Sequence, residues 1–176
     1  IAIIIGSFSA KGQQLPMYTQ YMWNTISVNP AYAGTKDYLS AMVLGRKQWW
    51  GFPGAPTTET FSINAPIKKQ RIGLGLSIVN DQIGPINETG FFLDFSFRFR
   101  ITEKGWLSLG AKGGVSMYNC NLNKIKTIDV NDPNFTTDVK AGFIPNIGAG
   151  VYYFTDKYYI GLSTPKMVSS EISMDS

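Results

Sequence analysis

Phe91-Phe92-Leu93-Asp94-Phe95-Ser96-Phe97-Arg98-Phe99-Arg100-Ile101 is the stretch that decides the fold. Its odd positions are apolar, and from Asp94 onward its even positions are Asp, Ser, Arg and Arg. Strict period-two alternation makes a β-strand with one apolar and one polar face. A sandwich strand also alternates, but such strands usually span only about 5–6 residues. A strand crossing a membrane needs roughly 9–11 residues. A file of Phe, Leu and Ile opposed by arginines suits lipid on one side and a wet lumen on the other. The favoured reading is a membrane barrel, with a soluble β-domain as the competitor.

The neighbouring chain extends the pattern. Strands are expected at about Tyr38–Gln48, Thr57–Ile67, Ile72–Ile83, Glu88–Thr102, Trp106–Cys120, Phe143–Phe154 and Tyr158–Thr164. Ile72, Leu74, Leu76 and Ile78 alternate with Gly73, Gly75 and Ser77. Ile147, Ala149, Val151 and Tyr153 alternate with Asn146, Gly148, Gly150 and Tyr152. Short connections (Lys68–Arg71, Glu103–Gly105, Thr155–Lys157) alternate with longer or Pro- and Asn-richer ones (Trp49–Pro56, Gly84–Asn87, Asn121–Gly142). Outer-membrane barrels show this asymmetry, and a sandwich has no reason to. Trp106, Tyr152, Tyr153, Tyr158 and Tyr159 gather beside the short turns and read as an aromatic girdle, or as core aromatics in a soluble domain.

Register is arguable for one hairpin. Glu103-Lys104-Gly105 suits a three-residue loop with Gly in the left-handed position. Thr102 would then oppose Trp106, with Leu107 against Ile101, Leu109 against Phe99, Ala111 against Phe97 and Val115 against Leu93. Lys112 would lie diagonal to Asp94, within reach of an ion pair. Asp94, Arg98, Arg100 and Lys112 are thus the expected polar residues of the lumen.

Composition narrows the function classes. Of 176 residues, 44% are hydrophobic and only 16% charged, against about 25% in soluble proteins. Mean hydropathy is −0.05 and no run of about 18 apolar residues exists, so the chain is not a helical membrane protein. Barrels average to such values because lipid-facing and lumenal residues cancel. The net charge of +4 follows no helix face and reads as solvated turns, not a nucleic-acid footprint. Histidine is absent and Cys120 is the single cysteine, which removes His-based catalysis, Cys/His zinc sites and internal disulfides.

Residues 1–12 fit the remnant of a signal peptide, with the Ile1–Ala10 run as its hydrophobic region and cleavage expected between Gly12 and Gln13. A buried N-terminal strand is the alternative. Residues 13–36 do not alternate. Tyr18, Tyr21, Met22 and Ile26 approach helical spacing until Asn29-Pro30 ends it. This segment is expected to be a plug or periplasmic docking element, or else a plain N-terminal cap. As a plug it would pack Tyr18, Tyr21 and Tyr32 on the barrel's inner wall, in space left by Gly73, Gly75, Gly110, Gly114, Gly148 and Gly150. Residues 37–176 would be the N-terminal part of the barrel. Seven strands is an odd number, and single-chain bacterial barrels have an even one, so further strands are expected.

No nucleophile elbow, phosphate loop or paired-carboxylate motif stands out, so neither enzyme activity nor a cofactor is expected. Asp129, Asn131, Asp132 and Asp138 could offer oxygen ligands to calcium, but Pro133 and the missing Gly-then-Glu pattern favour a solvated loop. Trp49, Trp50 and Phe52 sit in a Gly/Pro-rich loop; exposed they would mark a contact surface, folded over the mouth they would be structural.

QYMWNTISVNPAYAG (residues 20–34), RKQWWGFPGAPTTETFSINAP (46–66), IGLGLSIVNDQIGPINETG (72–90), NDPNF (131–135) and NIGAGVYYFTDKYYIGLSTP (146–165) resemble, in order, the PorP/SprF family of type IX secretion system membrane proteins of Bacteroidetes. NPAYAG followed by QWxGFxGAP carries the resemblance, although Trp50 stands where a smaller apolar residue is expected and the Gln13–Thr19 start is atypical. The resemblance implies an outer-membrane barrel that helps cargo such as adhesins to be exported or retained, in some members with a role in gliding motility. It implies contacts with periplasmic ring or peptidoglycan-linked components and with the C-terminal domains of secreted cargo. Candidate contact residues are Tyr18, Gln20, Tyr21, Asn29, Pro30, Tyr32, Gly34, Trp49, Trp50 and Phe52. A passive porin or small-solute transporter is the alternative, which open-lumen conductance would identify.

Overall fold

Alternation becomes architecture in a computed structural model that describes residues 22–67, 71–120 and 139–167. Seven strands form one antiparallel sheet in chain order: β1 Ser40–Lys47, β2 Thr57–Ile67, β3 Ile72–Ile83, β4 Ile86–Arg100, β5 Trp106–Cys120, β6 Val139–Phe154 and β7 Tyr159–Thr164. The sheet curls into a half-barrel. A four-residue helix, α1 (Thr25–Val28), and a 3-10 turn, Pro30–Tyr32, precede it. Among the described residues no helix is long and apolar enough to cross a membrane.

The two faces of the sheet are inverted relative to a water-soluble domain. On β4, Phe91, Leu93, Phe95, Phe97 and Phe99 are exposed, while Phe92, Asp94, Ser96 and Arg98 are buried. Across the sheet the convex rows run Val43–Phe61–Ile78–Phe91–Val115 at one end and Phe99–Leu107–Tyr153–Ile160 at the other. Phe91 and Phe99 lie eight residues apart, roughly 27 Å along a strand. With a strand tilt of 35–45° that gives a height of roughly 20 Å, near the ~25 Å apolar band of a membrane barrel once side chains are added.

The hairpin register needs correction. Arg100, not Thr102, opposes Trp106, so Phe99 meets Leu107, Phe97 meets Leu109 and Asp94 meets Lys112 directly. The turn is longer than expected, Ile101–Gly105, closed by bonds between Thr102 and Gly105 and from Ile101 N–H to Gly105 O at 3.0 Å. Gly105 does not have positive φ. A Cβ there would meet the side-chain ends of Tyr153 and Thr102. The shift is two residues, which preserves every face.

Two other expectations also fail in detail. The β3–β4 connection is a two-residue turn, Gly84-Pro85, with Gly84 at φ +59°. It lies at the end assigned to long loops, so loop length does not alternate strictly. The strands run on because Asn80–Thr89, Asp81–Glu88 and Gln82–Asn87 pair above the apolar band. Polar residues on both faces erased the alternation there. The aromatic cluster also divides by parity. Tyr153 and Tyr158 stack with ring centroids 6.2 Å apart and share the convex face with Leu107 and Ile160, whereas Trp106, Tyr152 and Tyr159 belong to the concave rows.

Candidate functional site

Small residues on the concave face leave room, and the segment from Asn24 to Thr35 occupies it. Ala31 and Ala33 are fully buried, and Asn24, Ile26, Asn29 and Pro30 nearly so. A Cβ at Gly110 would strike the Ala31 backbone, one at Gly73 the Ala33 carbonyl, one at Gly75 the Ile26 side chain and one at Gly150 the Asn29 amide. Gly34 has φ +63° and lies against the Gly73 and Pro66 backbones, so it must be glycine on both counts. The remaining inward glycines serve other neighbours. Gly90 and Gly114 accommodate the Phe92 ring, and Gly148 faces the Thr164 and Pro165 carbonyls.

Hydrogen bonds tie this segment to five strands. Ser62 Oγ donates to Asn24 Oδ1 at 3.2 Å on the β2 side, and Gly34 N–H donates to Asn64 Oδ1 at 3.3 Å. Ser96 Oγ of β4 donates to Ala33 O at 2.6 Å. Asn29 Nδ2 donates to Val151 O of β6 at 3.1 Å, and Asn29 Oδ1 accepts from Ala31 N–H at 2.9 Å. Ser163 Oγ of β7 donates to Val28 O at 2.9 Å. Tyr32 meets Tyr152 edge-on with centroids 5.7 Å apart.

Lys112 of β5 is the centre of the arrangement. Its Nζ lies 3.3 Å from Asp94 Oδ1, and both side chains are almost fully buried. The same ammonium donates to Ile26 O at 3.1 Å and Ser27 O at 3.2 Å. Carbonyls in the last turn of a helix lack intrahelical donors, and a lysine suits them. Nζ also lies 5.3 Å from the centroid of the Phe92 ring. Asp94 Oδ2 accepts from Ser77 Oγ at 3.5 Å. Among the described residues, Arg98 Nε and Nη2 and Ser108 Oγ are buried without a hydrogen-bond partner.

The remaining predicted residues scatter. Arg100 is exposed at the turn, bonded to Glu103 O, with its guanidinium 5.7 Å from the Trp106 ring; it belongs to the rim and not the buried lumen. Trp49, Trp50 and Phe52 are exposed in the β1–β2 loop and do not fold over the concave face. Tyr18, Gln20, Tyr21, the predicted signal peptide and the Asp129–Asp138 loop lie outside the described residues. Among the described residues no cluster of His, Cys, Asp and Glu could hold a metal ion. Sequence reasoning missed Asn24, Ile26, Asn64, Phe92 and Ser96. Their available signal was parity, since Asn64, Phe92 and Ser96 all point inward from the strands.

The model of one protein family, type IX secretion system membrane protein PorP/SprF, matches residues 10–176. No curated protein and no solved structure matches the chain. The chain therefore belongs to the PorP/SprF family.

Proposed function

We propose that this PorP/SprF membrane component of the type IX secretion system is an outer-membrane β-barrel protein that assists the export or surface attachment of particular cargo, such as adhesins. The observation that carries the membrane reading is the inverted sheet, with phenylalanines exposed on the convex face and Asp94, Arg98 and Lys112 buried on the concave one. The family match supports the secretion role. Residues 13–36 act as a plug that closes the lumen or docks to periplasmic ring or peptidoglycan-linked components. The bonding of Asn24–Gly34 to five strands, from Ser62 of β2 to Ser163 of β7, supports the first of these.

The test is removal of Gln14–Val28. The shortened protein should still insert, seen as heat-modifiable mobility on gels, but should no longer support cargo secretion. Full secretion by the shortened protein would reduce the segment to a leader. The polar concave face also favours a second reading, a passive porin, with the segment as a removable obstacle. A plugged secretion component should show little conductance in planar bilayers, whereas a steady open current from the intact protein would favour the porin.

A further inference from the structure

The β1–β2 loop holds three large aromatic side chains in the open. Trp49, Trp50 and Phe52 are 70%, 84% and 73% exposed. The loop is nonetheless well tied. Gln48 N–H donates to Pro56 O at 2.9 Å, Phe52 N–H to Trp49 O at 3.1 Å, and Gly84 N–H from the neighbouring turn to Gly54 O at 3.0 Å. Trp49 has φ +47°, a conformation that a bulky side chain rarely adopts. Such strain persists only where surrounding contacts hold it, and it clusters at functional positions.

Register fixes the level of this loop on the sheet. The last apolar convex row is Val43–Phe61–Ile78–Phe91. The next convex row toward the loop is Gly45–Glu59–Asn80–Thr89, and the one after it is Lys47–Thr57–Gln82–Asn87. Apolar side chains thus give way to polar ones within one row. Lys47 stands on the convex face, and its Nζ lies 4.8 Å from the Trp50 ring centroid, which places that ring on the convex side too. Gly45, directly below, leaves open space where a side chain would stand. An ammonium and an indole two rows beyond an apolar band, past the polar row that holds Glu59, match the composition of a membrane interface. There amphipathic rings settle at headgroup level and cations meet lipid phosphates.

We propose that Trp49 and Trp50 lie in the lipid headgroup layer with Lys47 beside a lipid phosphate, and that this loop anchors the β1–β2 rim to the bilayer surface. The proposal rests on the sheet being membrane-embedded. The loop stands on the convex side two polar rows beyond the apolar face, and the Lys47 ammonium complements phosphate-bearing headgroups. A protein partner on the same aromatics is the competing occupant.

The experiment uses the full chain refolded into phosphatidylcholine–phosphatidylglycerol vesicles. Trp23→Phe, Trp49→Phe and Trp106→Phe together leave Trp50 as the reporter. A parallel protein, with all four tryptophans replaced by Phe and Phe95→Trp added, reports on the convex face. Headgroup-tethered nitroxide lipid should quench Trp50 severalfold more than it quenches a protein retaining only Trp106 of the concave rim. Lys47→Glu should weaken that quenching. Brominated acyl chains should quench the Phe95→Trp reporter. If that reporter is quenched while Trp50 answers only to aqueous iodide, the anchor is wrong and the barrel stands. If Trp50 responds to neither nitroxide nor iodide, protein covers it and the anchor is again wrong. If the Phe95→Trp reporter also escapes lipid quenching, the membrane reading itself falls.

Discussion

Asp94 and Phe95 are adjacent residues with opposite surroundings. Asp94 is 1% exposed, opposite Lys112 and under the Ile26–Ser27 carbonyls, whereas Phe95 is 47% exposed beside Leu74 and Ala111. The same contrast holds between the concave and convex faces of the whole sheet. Burial here does not track hydrophobicity, because the two faces have different neighbours. The concave face is covered by the chain's own polar backbone and can satisfy charges. The convex face has no protein cover among the described residues, as expected of a surface that meets lipid.

The sharpest way to break this contrast is to remove one charge from the concave face. Lys112→Met should cost about 3–5 kcal/mol, since it strands a buried carboxylate and leaves two carbonyls without their donor. Denaturant unfolding in vesicles measures it. Adding Asp94→Asn should recover part of the loss, so the double-mutant cycle shows coupling. A cost below about 0.5 kcal/mol, the range of ordinary surface positions, would mean that the face is freely hydrated.

The convex side is tested by the reverse substitution. Phe95→Arg, near the middle of the apolar band, should cost about 2–4 kcal/mol in a bilayer. Phe97→Arg, one row nearer the turn, should cost somewhat less because depth sets the penalty. Equal stability of wild type and Phe95→Arg in the same unfolding assay would show that this face meets water.

The finest comparison uses two glycines of one strand. Gly113 points to the convex face with open space around it, and Gly110 points inward against the Ala31 backbone. Gly113→Ala should stay within about 0.5 kcal/mol of wild type. Gly110→Ala should loosen residues 24–35, read as faster proteolytic cleavage within that segment while the sheet resists. Equal protease sensitivity of the two variants would show that the segment does not depend on Gly110.

How much of this was readable follows from where alternation survives. Within the apolar band each strand has two chemically distinct faces, so the order of elements and the inward set of Asp94, Arg98 and Lys112 could be read directly. Beyond the band both faces are wet and the pattern fades: Ile86 and Asn87 belong to β4 although they read as part of the Gly84–Asn87 connection, and β6 begins at Val139 instead of Phe143. Gly105 misled because a glycine in a turn suggests a left-handed backbone, and this one does not have it. The seat of Ala31 and Ala33 could not be read locally. Their partners Gly110 and Gly73 lie far along the chain, and alanine carries no chemical mark of its own.

The bonding of the Asn24–Gly34 segment also orders events in time. Its shortest-range contact with a strand joins Gly34 to Asn64, 30 residues away, and its longest joins Val28 to Ser163, 135 residues away. The sheet itself joins only neighbours in sequence, so each hairpin can form by local closure. Lengthening the closed loop from the first contact to the last adds about 1.3 kcal/mol of chain entropy. Contacts of such separation form slowly. The part of the described chain that is synthesised first is thus the last to be fully bonded. Until β7 arrives, Val28 O lacks its Ser163 donor, and each hairpin that joins the sheet narrows the positions open to the waiting segment.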